Sequence, residues 1–69
     1  MLTIEEILRT TVELANDSTS TSAQLCARDA VKLFQNGNEQ DALNRATQSL
    51  AYSVGVFSEV YREVQKFKL

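Results

Sequence analysis

The sequence predicts an all-α fold: a three-helix bundle with two shorter helices, at about 3–16 and 21–35, and one long C-terminal helix at about 39–67. All of it falls in a single helical domain, 1–69. Three observations carry this expectation. The 69 residues contain no proline and only two glycines, too few turn formers for a β fold of this size. Apolar residues recur at helical spacing between the turn signals. From Leu43 onward, the apolar positions fall on two rows seven residues apart, a pattern that strands and loops do not sustain.

The first helix is announced by Thr3 and Glu6, spaced as a capping box in which each side chain satisfies a free backbone N–H of the first turn. Ile4, Ile7, Leu8, Thr11, Leu14 and Ala15 then form one stripe, and the helix should end near Asn16. The run DSTSTS, Asp17 to Ser22, follows. Its hydroxyls compete with helical backbone bonds, so it reads as a loop closing in an N-cap. Ser20 and Thr21 are the candidates for that cap, Thr21 having Gln24 in the capping-box position. The second helix then buries Ala23, Cys26, Ala27, Ala30, Val31, Leu33 and Phe34. Asn36-Gly37-Asn38 closes it, with Gly37 in the left-handed position and Asn38 capping the third helix.

The third helix sets the expected architecture. Leu43, Leu50, Phe57 and Val64 form one heptad row; Ala46, Ser53, Val60 and Phe67 form the other. Ala42, Val54, Val56 and Tyr61 widen the stripe, and Asn44, Arg45, Gln48, Ser58, Arg62 and Gln65 lie opposite. Asp41 with Arg45, and Glu59 with Arg62, are spaced to pair on the wet face. Gly55 falls in the outermost row. Because the heptad phase continues across it, it reads as a glycine inside a continuous helix, a tolerated surface residue, a slight bend or a point of close approach. A helix from 39 to 67 would run ~43 Å, whereas fourteen residues reach ~21 Å. The second helix therefore covers only half of it. Phe57, Val60, Tyr61, Val64 and Phe67 need another cover, from the first helix or from a second chain; exposed, they would forgo several kcal/mol, at ~25 cal/mol per Å². A two-fold homodimer through Leu50, Phe57, Val60, Tyr61, Val64 and Phe67 is the expected arrangement.

The chain carries seven Lys and Arg against nine Asp and Glu, net charge -2, with a pI near 4.9. Its scattered basic residues argue against nucleic acid and anionic membrane as partners. Cys26 is the only cysteine and there is no histidine, so neither an intrachain disulfide nor a Cys/His metal site is expected. No cofactor is implied. Glu59 and Glu63 share a helix face one turn apart, and Asp29 sits in the run A-R-D-A, but all three read more simply as solvated surface. The acidic N-terminal segment MLTIEEILRT is unlike a signal peptide, and no apolar run reaches a membrane span. A cytoplasmic protein is expected.

The segment Arg28 to Gly55 carries a family resemblance. ARDAVKLFQNGNEQDALNRA, with Gly37 followed by Ala42-Leu43 and Ala46, is similar to a helical hairpin of tetratricopeptide repeats and of microtubule-interacting-and-trafficking domains. Small residues at these positions let two helices pack closely. Arg28-Asp29-Ala30, Leu33-Phe34, Gly37, Ala42, Ala51-Tyr52 and Gly55 also resemble the motif of the archaeal "domain of unknown function 357" family. Asn38 stands where that family has an acidic residue, and its aromatic-rich ending is missing. The resemblance implies a helical bundle and no known activity. No phosphate loop, nucleophile elbow or facing acid pair suggests an enzyme. The expected function is a non-catalytic helical interaction module, self-associating or docking a helical protein; the alternative is a small dimeric nucleic-acid-associated or transcriptional regulator.

Overall fold

The computed structural model describes residues 2–68. Among them are four helices and no strand: α1 Ile4–Asp17, α2 Thr21–Gln35, α3 Glu39–Ser53 and α4 Glu59–Gln65. The all-α class and the first two helices are as the sequence predicts. The long third helix is not: residues 39–67 form two helices, and the chain reverses between them.

Capping fixes the ends of α1. The Thr3 hydroxyl accepts the Glu6 N–H at 3.1 Å, and the Glu6 carboxylate accepts the Thr3 N–H at 2.9 Å. At the far end, the Ser18 N–H is shared by the carbonyls of Leu14 and Ala15. The N-cap of α2 is Ser20, not Thr21. Ser20 has extended backbone, its N–H is tied to the Ser18 hydroxyl at 3.2 Å, and its own hydroxyl accepts the Ala23 N–H at 3.1 Å. Thr21 is thereby already inside the helix. Gln24 donates to the Ser18 carbonyl at 3.3 Å rather than completing a capping box.

A Schellman motif ends α2. The N–H of Asn38 reaches the Leu33 carbonyl at 2.8 Å, and that of Gly37 reaches Phe34 at 3.0 Å. Gly37 sits at φ 85, where an L side chain is strained. Asn38 occupies the N-cap position of α3 without a side-chain cap bond, at φ -91 and ψ 70. Its backbone is committed to closing α2, outside the extended region from which N-caps reach forward. Glu39 and Asp41 in the first turn complement the helix dipole instead.

The turn lays α3 antiparallel on α2, and small residues let the two come close. Ala23, Ala27 and Ala30 of α2, and Ala42, Ala46 and Ser49 of α3, are all buried. The Ser49 hydroxyl donates to the Ala23 carbonyl at 2.7 Å, crossing the interface. α1 lies over the pair through Ile7, Leu8, Thr11 and Ala15. The Thr11 hydroxyl is satisfied by the Ile7 carbonyl at 2.7 Å, so its methyl can join the core. Cys26 is half-buried rather than in the core, its sulfur 3.8 Å from the Gln48 amide oxygen. Val31, Leu33 and Phe34 are also half-buried; Phe34 packs against the main cluster.

α4 completes the core. Val64 is wholly buried, in one cluster with Ile7, Leu8, Ala30, Leu43, Ala46 and Leu50, and Val60, Tyr61 and Phe67 pack on that cluster. Gln65 donates to the Thr47 hydroxyl at 3.4 Å and Gln40 to the Phe67 carbonyl at 3.3 Å, so α4 runs back along α3. The longest dimension is 28 Å, too short for a ~43 Å helix. The physical reason is coverage: of the side chains that a straight helix would leave in water, Val64 is buried and Val60, Tyr61 and Phe67 are half-buried against the chain's own core, while Phe57 stays exposed. Fully burying one such side chain is worth about 1.5–3 kcal/mol. The two charge pairs expected on α3 and α4 do not form either. Arg45 donates to Gln48 at 3.1 Å and Arg62 to the Phe57 carbonyl at 3.5 Å. The one ion pair among the described residues is Lys66 with Glu63, at 2.7 Å.

Two outcomes test this packing. Ala46→Leu should lower unfolding free energy by about 1–3 kcal/mol in urea titrations, because the α2–α3 interface has no room for added methylenes. Hydrogen bonds from Thr3, backbone first and then side chain, hold the Glu6 carboxyl below its ordinary 4.5; a bond from Lys66 does the same for Glu63. A lowered folded value contributes stability above the ordinary carboxylate range and loses it as pH falls through the lowered value. Glu6→Gln keeps the capping bonds, so its stability should fall less steeply below about pH 4.5 than that of the wild type, followed by circular dichroism.

Candidate functional site

The reversal between α3 and α4 is built from residues 54–58. The N–H groups of Val54 and Gly55 both point at the Leu50 carbonyl, at 2.9 and 2.8 Å. Gly55 then turns to φ 91. A Cβ placed there meets nothing within 4 Å, so glycine is required by the backbone angle and not by space. Its carbonyl accepts the Ser58 N–H at 3.3 Å and the Ser58 hydroxyl at 3.0 Å. The same hydroxyl accepts the Tyr61 N–H at 3.2 Å and so caps α4. Gly55 is therefore the break in the helix, contrary to its reading as a residue within a continuous one. Ser58, expected on the polar face of that helix, is the N-cap of a new one.

The link turns its apolar side chains outward. Phe57 is 90% exposed and Tyr52 61%, with Val54 and Val56 also exposed. Singly exposed apolar residues are ordinary, but four within six sequence positions concentrate exposed apolar surface at the end of α3 and on the link. The predicted interaction stripe is thus divided. Leu50 and Val64 are wholly buried in the chain's own core, Val60, Tyr61 and Phe67 are half-buried against it, and Phe57 alone faces solvent. Tyr52, Val54 and Val56 belong to the exposed surface and were not among the expected contact residues. The signal for them was Gly55 followed three residues on by Ser58, a helix stop next to a helix start.

One polar group beside the link is unsatisfied: the Ser53 hydroxyl is buried and has no hydrogen-bond partner among the described residues. Elsewhere the surface offers little chemistry. A groove of about 420 Å³ is lined by Leu2, Ile4, Phe34 and Phe67, and one of about 300 Å³ by Leu8, Val12, Val31 and Phe34. Thr3, Glu5 and Glu39 also line the first, and Glu5, Arg9 and Gln35 the second. Glu59 and Glu63 lie among Arg62 and Lys66, a patch of mixed sign. No group of three or more His, Cys, Asp or Glu residues is placed to hold a metal among the described residues. None of the described helices is long and apolar enough to cross a membrane.

Compared with protein-family models, with curated proteins and with solved structures, the chain has no match.

The Ser53 hydroxyl yields a direct test. Removing an unpaired buried group relieves its desolvation cost, so Ser53→Ala should raise unfolding free energy by about 1 kcal/mol in urea titrations, unlike most core substitutions.

Proposed function

We propose that this chain is a non-catalytic helical interaction module that self-associates, with Phe57 at the centre of the contact and a second copy of the chain as the partner. The observation that carries the reading is the exposure of Phe57, Val54 and Val56 on the link together with Tyr52 in the last turn of α3. Aromatic residues are enriched at protein contacts and depleted from surfaces with no partner. A second copy suits the patch because Phe57 lies on the same heptad row as Leu50 and Val64, residues that this chain already buries against itself. A net charge of only -2 opposes like-with-like association weakly.

Sedimentation velocity from low to high micromolar concentration tests this. The wild type should show a concentration-dependent dimer. Phe57→Ser should weaken it at least about tenfold, as loss of a contact hot spot does. The same substitution should change the melting temperature by no more than about 4 °C, since the side chain is outside the core. A wild-type chain that stays monomeric throughout would sink the reading.

A further inference from the structure

We infer that the chains associate by exchanging α4. The link straightens, residues 39–67 become one helix, and the α4 of each chain occupies the site on α1 and α3 of the other. The inference rests on the self-association proposed above and says how it is achieved.

Four observations point to it. First, the heptad rows run in phase across the link, Leu43, Leu50, Phe57 and Val64 in one and Ala46, Ser53, Val60 and Phe67 in the other. A link that only reverses the chain has no need of that phase, whereas a continuous helix requires it. Second, the site for α4 is already built. Val64 enters the cluster of Ile7, Leu43 and Leu50, Gln65 bonds Thr47 and Gln40 bonds the Phe67 carbonyl. An α4 from a second chain has the same sequence and remakes each of these contacts, which is why exchange of an element is a low-cost route to a dimer.

Third, the folded-back form depends on one unusual backbone angle, Gly55 at φ 91. Besides it, Ser58 is extended at ψ 155 as the cap of α4 and must also turn helical; residues 54–58 contain no proline, and Val54 and Gly55 already bond back to Leu50. Fourth, Phe57 has no place in the folded-back chain, being 90% exposed. In a straight helix it falls between Leu50 and Val64 on the buried row, at the crossing where two exchanging chains meet. The contacts beneath α4 are the same in both forms. The balance between them therefore rests on the angle at Gly55, the burial of Phe57 and the entropy of association.

Gly55→Ala is the diagnostic substitution. Its Cβ meets nothing, yet alanine disfavours φ near +91 and favours helix, so it acts on the link alone. Each link should shift about tenfold toward the straight form, and a dimer contains two, so dimerisation should tighten about a hundredfold. Inserting Gly-Ser-Gly between Val56 and Phe57 breaks the phase and loosens the reversal, and should leave a folded monomer at all micromolar concentrations. Exchange itself is read by cross-linking. In a Cys26→Ser background, Gln40→Cys with Lys68→Cys places thiols on α3 and just beyond α4, where Gln40 and the Phe67 carbonyl are in contact. The dimer fraction is treated with a short bismaleimide and run on a denaturing gel. Covalent dimers are expected. Cross-links within single chains of that fraction would overturn exchange while leaving self-association standing. A Gly55→Ala chain that is monomeric at every concentration would overturn both, and an insertion variant dimerising as tightly as Gly55→Ala would overturn the role of the link.

Discussion

The rest of the structure depends on the close approach of α2 and α3. Ala23, Ala27 and Ala30 of α2 and Ala42, Ala46 and Ser49 of α3 are all buried, Ala23 and Ala27 in a cluster with Ala15 of α1. Alanine seams contribute little apolar area each, so their value lies in geometry: two backbones come near enough for the Ser49 hydroxyl to reach the Ala23 carbonyl. A pair of helices this close exposes one broad face rather than two narrow ones. α1 lies on that face, α4 packs on α3 and α1, and the large side chains Ile7, Leu8, Leu43, Leu50 and Val64 meet in one cluster. The Schellman turn at Gly37 sets the register, because its two bonds fix where α3 begins relative to the end of α2.

That division of labour explains why the chain reverses after Ser53. A bundle this small has little stability to spare. The face offered by α2 and α3 is no longer than their fifteen residues, so a helix running on past it would find nothing to pack against. Reversal brings Val60, Tyr61, Val64 and Phe67 onto α1 and α3 at the expense of a left-handed glycine, one unpaired serine hydroxyl and an exposed phenylalanine. Glycine alone can take that angle cheaply. These three compromises lie within the five consecutive residues 53–57.

Much of this was legible in the sequence, and what was not has a definite physical cause. Helical class, the Thr3–Glu6 box, the Gly37 turn and the alanine stripe of α2 are local signals, and local signals carry over. The break at Gly55 is also local in its chemistry, yet it was masked by a pattern of longer range. The in-phase heptad rows are what a continuous helix requires, and that pattern hid the local stop at Gly55 which the folded-back chain uses. The pair Gly55 and Ser58 was the discriminating signal, since a glycine three residues before an N-cap hydroxyl supplies both a stop and a start. The sequence left the N-cap of α2 open between Ser20 and Thr21, because both offer a hydroxyl; in the structure it is Ser20, whose N–H is tied to the Ser18 hydroxyl. For the contact surface, Phe57 was visible as an apolar residue but its exposure was not, because exposure depends on where the chain turns.

The short loop at Gly37 also has a kinetic meaning. Contacts between α2 and α3 close across a turn of three residues, whereas those between α1 and α4 join opposite ends of the described chain. Loop-closure entropy rises with separation, so contacts across the two three-residue links, α1 with α2 and α2 with α3, are expected before α4 docks on α1. Side chains of α4 therefore act mainly on how fast the fold opens, and the alanines of the hairpin on how fast it forms. The last element to arrive is also the first able to leave, while the three helices beneath it remain assembled.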